Sequence, residues 1–188
     1  MTYSSNISTL ITIVFGLMLT ELFVSVHRLI RNRRRVRWHW LPLLVSWYVL
    51  VTVLKNWWGF VFGGDDGAWG SGWVFFFYGH ILLLLYLVVS AVLPDEVPAE
   101  GLDLKEHYFE TRRHFWGLLA GVNLALLIFA LLRPVLFSGS SLNLMAVLSN
   151  IAMGAVALSL AWIRRFGYHA IVVVMLVVLT VVEVAVKF

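Results

Sequence analysis

Six long apolar runs divide the chain, and nearly all of its charge is collected in the short stretches between them. The runs cover residues 8–29, 40–62, 73–93, 114–136, 143–163 and 168–187. Each is close to the ~20 residues that an α-helix needs to cross a hydrocarbon core ~30 Å thick. None alternates apolar with polar positions in the way a barrel strand does. Lipid offers no partner for a backbone N–H or C=O, so continuous apolar runs of this length must satisfy their own backbone as helices. The pattern predicts an all-α integral membrane protein, a six-transmembrane-helix bundle in which residues 1–188 form a single membrane domain. Arg133, Pro134 and the Ser-Gly-Ser-Ser stretch 138–141 supply the stop and turn between the fourth and fifth runs.

The polar stretches orient the bundle. The first loop holds Arg31, Arg33, Arg34, Arg35 and Arg37, with Arg28 at its edge. The third adds Lys105, Arg112 and Arg113, and the fifth adds Arg164 and Arg165, which makes eleven of the fourteen basic residues on one side. Excess Lys and Arg in short loops marks the cytoplasmic face, so both termini are expected on the other side. The loop Gly-Gly-Asp-Asp-Gly-Ala-Trp-Gly-Ser-Gly, residues 63–72, falls outside with Asp65 and Asp66 and no base. The connector 94–113 begins as a Pro- and acid-rich loop; Asp103 followed by Glu106 then resembles a capping box. It predicts a short interfacial helix on the cytoplasmic side that runs into the fourth span. Trp38, Trp40, Trp57, Trp58, Trp73, Trp116 and Trp162 lie near span ends, as interfacial belts do.

Composition agrees with lipid as the solvent: 61% of the 188 residues are hydrophobic, 13% are charged and the mean hydropathy is +0.90. There is no cysteine, which excludes a thiol nucleophile or thiolate metal site. Spans of this number take up about 130 residues and leave no room for a soluble catalytic domain. The net charge of +4 reads as membrane topology and not as a nucleic-acid surface, because the basic block is bracketed by spans. The opening Met-Thr-Tyr-Ser-Ser-Asn-Ile-Ser-Thr lacks a basic segment, and the run after it is too long for a signal, so it reads as a retained first span.

Charged groups within a bilayer are costly and usually have a reason. Glu21 sits deep in the first span with no base within one turn, and Arg28 lies a further two turns along. Two readings stay open for it: a proton- or cation-binding carboxylate, or an interhelical strut. Asn123, Tyr48 and Tyr86 fall near its level. His80, Lys55, Asn150 and Glu183 share a layer in the outer half and have the composition of a proton relay or a small polar site. Gly117, Gly121 and Ala125 put a small residue at every fourth position of the fourth span, a stripe that lets helices approach closely. Ala157 and Ala161 do the same, more weakly, in the fifth. His27, His39, His114 and His169 lie near the cytoplasmic boundary on four spans, but their spacing is diagnostic of neither haem nor metal. No phosphate loop, zinc-hydrolase helix or nucleophile elbow is present, and no cofactor, metal or catalytic residue is expected.

Residues 19–40, Leu-Thr-Glu-Leu through Trp-His-Trp, and residues 108–120, Tyr-Phe-Glu-Thr-Arg-Arg-His-Phe-Trp-Gly-Leu-Leu-Ala, resemble a scattered group of uncharacterised bacterial six-span inner-membrane proteins. Those carry a similar acid in the first span, a basic first loop and an Arg-Arg-aromatic entry to the fourth. The resemblance implies that topology and a bacterial inner-membrane address, and it transfers no activity or catalytic residue. Function then rests on two expectations. One is a small proton or ion channel or transporter that uses the polar residues within the spans. The other is a non-catalytic scaffold or subunit, a homo-oligomer or a companion of another membrane protein. An enzyme acting on lipid or quinone has no nucleophile, metal set or carboxylate pair to support it.

The absence of cysteine makes the orientation directly testable. In intact cells a membrane-impermeant maleimide is expected to label Asp65→Cys and to spare Arg34→Cys until the membrane is opened. The opposite pattern overturns the threading.

Overall fold

The computed structural model describes residues 2–62, 72–136 and 141–187, and the described chain is almost wholly helical. Helix α1 spans Thr2–Arg31, α2 Trp40–Phe62, α3 Gly72–Ala91, α4 Leu104–Leu136, α5 Leu144–Trp162 and α6 Phe166–Lys187. Two-residue strands β1 (Val36–Arg37) and β2 (Leu102–Asp103) precede α2 and α4. The apolar runs thus fold as helices, most ends moving by a few residues, while α1 starts six residues and α4 ten residues before the expected run. The outer loop with Asp65 and Asp66 lies outside the described residues.

Five segments are long and apolar enough to cross a bilayer: Ser8–Arg31, Gly72–Ala91, Leu104–Val135, Leu144–Trp162 and Phe166–Ala185. They mark a multi-pass membrane protein. The count differs from the expected six because α2 is missing from the set. Its 23 residues suffice in length, but Pro42, Ser46, Tyr48, Lys55, Asn56 and a tryptophan at either end dilute its apolar content. The expected interfacial helix is not a separate element. It forms the first turns of α4, whose 33 residues run unbroken for about 50 Å, well beyond the ~30 Å of a hydrocarbon core.

Packing order gives the bundle its shape. The helices form a curved row in the order α5, α4, α3, α1, α2, α6, with α2 also touching α3 and α4. A continuous apolar core runs along it, including Phe15, Met18, Val45, Leu85, Trp116 and Leu160. The outward faces are equally apolar: Leu17, Phe23, Leu131, Met175 and Val182 are all exposed, as lipid-facing residues are. The ends of the row, α5 and α6, barely touch. They meet near their shared turn, where the Ser159 and Tyr168 hydroxyls are 2.6 Å apart.

All three basic loops gather at one end. Val36 pairs with Leu102 and Arg37 with Asp103 in a parallel bridge, Leu102 N–H donates to the Arg35 carbonyl at 2.9 Å, and Arg37 forms a salt bridge to Asp103 at 3.4 Å. Arg28 donates to the Asp95 carbonyl. Lys105 lies 4.7 Å from the ring centre of Phe166, which ties the connector to the α5–α6 turn. Asp103 caps α4: its Oδ1 accepts from the Lys105 and Glu106 amides at 2.9 and 3.2 Å. The Glu106 amide, followed by that of Lys105 and by the Arg37 charge, holds the carboxyl below the usual carboxylate range despite an opposing effect of burial. One half of the anticipated capping box is therefore formed.

Gly101 makes the bridge possible. It has φ +102, and a Cβ there would sit 2.9 Å from the Arg35 carbonyl oxygen. Gly101→Ala is expected to cost on the order of 1–3 kcal/mol through strain and the contact with backbone. Thermal unfolding in detergent measures it; an unchanged midpoint refutes the assignment.

Candidate functional site: a polar cavity among four helices

The two ends of the bundle differ. At the basic end the interior is closed by a chain of hydrogen bonds. Trp116 Nε1–H donates to the Tyr108 hydroxyl at 3.0 Å, and the hydroxyl lies 2.7 Å from His169 Nδ1. His169 Nε2 is 2.7 Å from the Ile163 carbonyl, which only accepts. Nε2 therefore carries the proton in the neutral ring and Nδ1 accepts from Tyr108. Every member of the relay is satisfied, and Trp116 and His169 are fully buried. Buried Arg112 donates to the Phe109 carbonyl beside them.

Toward the opposite end lies a half-open cavity of about 670 Å³. It occupies the space that α5 and α6 leave between them, with α2 and α4 as its other walls and Tyr78 and Leu85 of α3 at its back. Along α2 the lining runs from Tyr48 to Phe60, a depth of about 18 Å. Lys55 of α2 and Glu183 of α6 form an ion pair at its edge. Their side chains are 28% and 40% exposed, so the pair is accessible from the cavity and not sealed in the core. Asn56, Asn123 and Asn150 also line it. Each donates its amide Nδ2 to the carbonyl four residues earlier, at 2.8 Å: Thr52, Leu119 and Ala146 respectively.

Of the polar residues singled out in the sequence, Tyr48, Lys55, Asn123, Asn150 and Glu183 meet in this cavity. Glu21 and His80 do not join them. His80 lies on the exposed face of α3 with Trp73 and Phe76, and its Nδ1 is 2.7 Å from the Phe76 carbonyl. It shares the layer but points away from it. Glu21 is half-buried at the margin of α1, between buried Met18 and Leu22 and exposed Leu17 and Val24. Gly117, Gly121 and Ala125 are half-exposed, and a Cβ added at either glycine would meet nothing within 4 Å. The close approach of α4 and α5 uses other small residues: Ala157 and Ala161 are buried, and a Cβ added at Gly154 would stand 3.7 Å from the Asn123 Cβ, in ordinary contact.

The boundary histidines separate. His27 and His114 are exposed. His39 accepts from the Leu41 amide at 3.2 Å and packs edge-on to Phe166 at 5.5 Å. Among the described residues no three His, Asp or Glu side chains converge on a metal position. Trp116 departs from the interfacial belt expected for it, being a core residue with its indole N–H engaged. Trp73 and Trp162, at 82% and 72% exposure, do face outward.

Sequence reasoning missed Asn56, Ser149 and Thr180 of the lining. A signal existed. Positions 48, 52, 55 and 59 fall on one face of α2, and 176, 180 and 183 on one face of α6. No protein-family model, curated protein or solved structure matches the chain.

The relay at the closed end generates a prediction. Tyr108→Phe removes the donor to His169 and the acceptor of Trp116, and is expected to lower stability by about 1–3 kcal/mol. Thermal unfolding in detergent checks it, and no loss would mean that the relay contributes nothing to holding α4 on the α5–α6 turn.

Proposed function

We propose that the protein is a small transporter or channel of the cytoplasmic membrane, passing protons or a small ion through the polar cavity. The basic end faces the cytoplasm in this reading, as the positive-inside rule requires, and both chain ends lie on the other side. It takes α2 as a sixth crossing. In support, α2 meets the start of α6 through Trp40 and Phe166, with ring centres 6.2 Å apart, and reaches α6 again through Lys55 and Glu183. It therefore travels beside α6 for most of that helix, and the one basic residue within its length is charge-matched.

The observation that carries the reading is the asymmetry of the interior. A polar, half-open cavity with an accessible ion pair stands at one end, and a closure built on the Trp116–Tyr108–His169 relay at the other. A carrier working by alternating access needs a site near mid-membrane that is open to one side and closed to the other. Lys55 and Glu183 are the charged groups of this cavity; each is partly exposed, and each belongs to a different helix.

A second reading, a scaffold or complex subunit, draws on one finding: among the described residues, nothing lies within 4 Å of where a Cβ at Gly117 or Gly121 would stand. Close helix packing against another copy or a membrane partner suits such a stripe.

Proteoliposomes decide between them. Under an imposed pH gradient or membrane potential the protein is expected to give a flux that Glu183→Gln strongly reduces. Glu21→Gln is expected to leave that flux unchanged, because Glu21 does not line the cavity. Silence under every gradient removes the transport reading, and a stable oligomer that Gly121→Leu dissociates then favours the scaffold.

A further inference from the structure

The lining of the cavity has a direction. Its polar side chains place donors back on their own helices: Asn56, Asn123 and Asn150 through Nδ2, Ser149 through its hydroxyl to the Ala146 carbonyl at 3.0 Å, and Thr180 to the Leu176 carbonyl at 2.8 Å. Each amide retains a single further N–H. Against these stand the lone pairs of three amide oxygens and of the Ser149 and Thr180 hydroxyls; the hydroxyls of Tyr48, Thr52 and Tyr78, which can donate as well as accept, complete the polar lining. Among the described residues none of the three amide oxygens accepts a hydrogen bond. The three amide oxygens thus offer acceptor capacity to a ligand. The walls add the rings of Tyr48, Trp58 and Tyr78, whose faces attract cations. The charge already drawn to this place is an ammonium, that of Lys55 on Glu183.

We propose that the cavity binds a cationic amine, whose ammonium displaces that of Lys55 from Glu183 while the Asn123 and Asn150 carbonyls accept from it and the aromatic rings enclose its organic body. Lys55 then serves as a tethered competitor that fills the site when no ligand is present. The volume, about 670 Å³, lies within the range of small-molecule sites. This assignment rests on the cavity being the ligand site of the transport reading and adds its substrate class. An anion is disfavoured by the ion pair: it would meet the Glu183 carboxylate and would have to take Lys55 away from a partner it already holds.

The test is calorimetric titration of the purified full chain in detergent, with empty micelles as blank and two probes of equal shape and opposite charge, benzylammonium and benzoate. Benzylammonium is expected to bind and benzoate not. Lys55→Met is expected to tighten benzylammonium binding about tenfold, equivalent to ~1.4 kcal/mol, because the competitor is gone. A purely structural role for the ion pair gives the opposite sign. Asn150→Leu is expected to weaken binding and Glu183→Gln to abolish it, with thermal unfolding confirming that each variant is folded. If Glu183→Gln fails to fold, the Lys55→Met and Asn150→Leu measurements carry the decision. Binding of benzoate as strong as that of the amine, loss of affinity in Lys55→Met, or saturable binding of sodium ion without any of the amine would each overturn the assignment. Amine binding without flux in proteoliposomes leaves the site standing and removes the carrier; proton flux without amine binding does the reverse.

Discussion

The hydrogen-bonded relay from Trp116 through Tyr108 to His169 and the Ile163 carbonyl is the contact on which the arrangement of this bundle depends. In water, apolar helices are driven together because burial removes their surface from solvent. In lipid that drive is absent, since acyl tails are as apolar as leucine, and helices find fixed positions through close packing and directional polar bonds. The relay supplies such bonds between α4 and the α5–α6 turn. The Val36–Leu102 bridge and the Arg28–Asp95 contact do the same between the first and third loops. Together they lock three basic hairpins into one end of the molecule. The residues involved are satisfied as a set, so each helps fix the orientation of the next.

The opposite end follows from that lock. With α5 and α6 joined at their short turn and packed onto different neighbours, α4 and α2, they separate with distance from the turn. The gap between them is the cavity. Its polar lining is tolerable in a membrane helix only because the asparagines, Ser149 and Thr180 bond to their own backbones and because Lys55 and Glu183 neutralise each other. A bundle with α5 packed on α6 would have no such space. The closed end and the open cavity are therefore two consequences of one packing order, and the chemistry of the cavity is legible because its donors are already placed.

Depth was available from the sequence, azimuth was not. Counting along the spans put Lys55, Asn150, Glu183 and His80 in one layer, and three of the four meet. His80 has the same depth but sits on the face of α3 carrying Trp73, Phe76 and Leu83, which is exposed. Glu21 was drawn by its charge to the centre of attention, yet it stands at the edge of α1, away from the cavity lining. The small-residue stripes show the same division. The Gly117 stripe was the stronger pattern, yet it is only half-buried and its two glycines have open space beside them among the described residues, whereas the weaker Ala157–Ala161 pair is buried. Trp116 and His169 looked like boundary residues because boundary and core are indistinguishable when α4 extends a turn or more beyond the apolar zone. Asp103, whose cap involves residues two and three positions away, was readable from local spacing alone.

The sequence by itself determined that the chain is a set of apolar helices, roughly where the apolar part of each lies, and which loops carry positive charge. These are local properties, set by backbone hydrogen bonding in oil and by the cost of moving a charge through it, and they need no knowledge of neighbours. Only the tertiary structure decided which face of each helix turns inward, that α5 and α6 stand apart, and that Lys55 meets Glu183 across 128 positions of chain. The physical reason is that a lipid-facing surface and a helix-facing surface are equally apolar. The inside-outside contrast that reveals a buried face in a water-soluble protein is missing here, and rotation about each helix axis is fixed only when the helices meet.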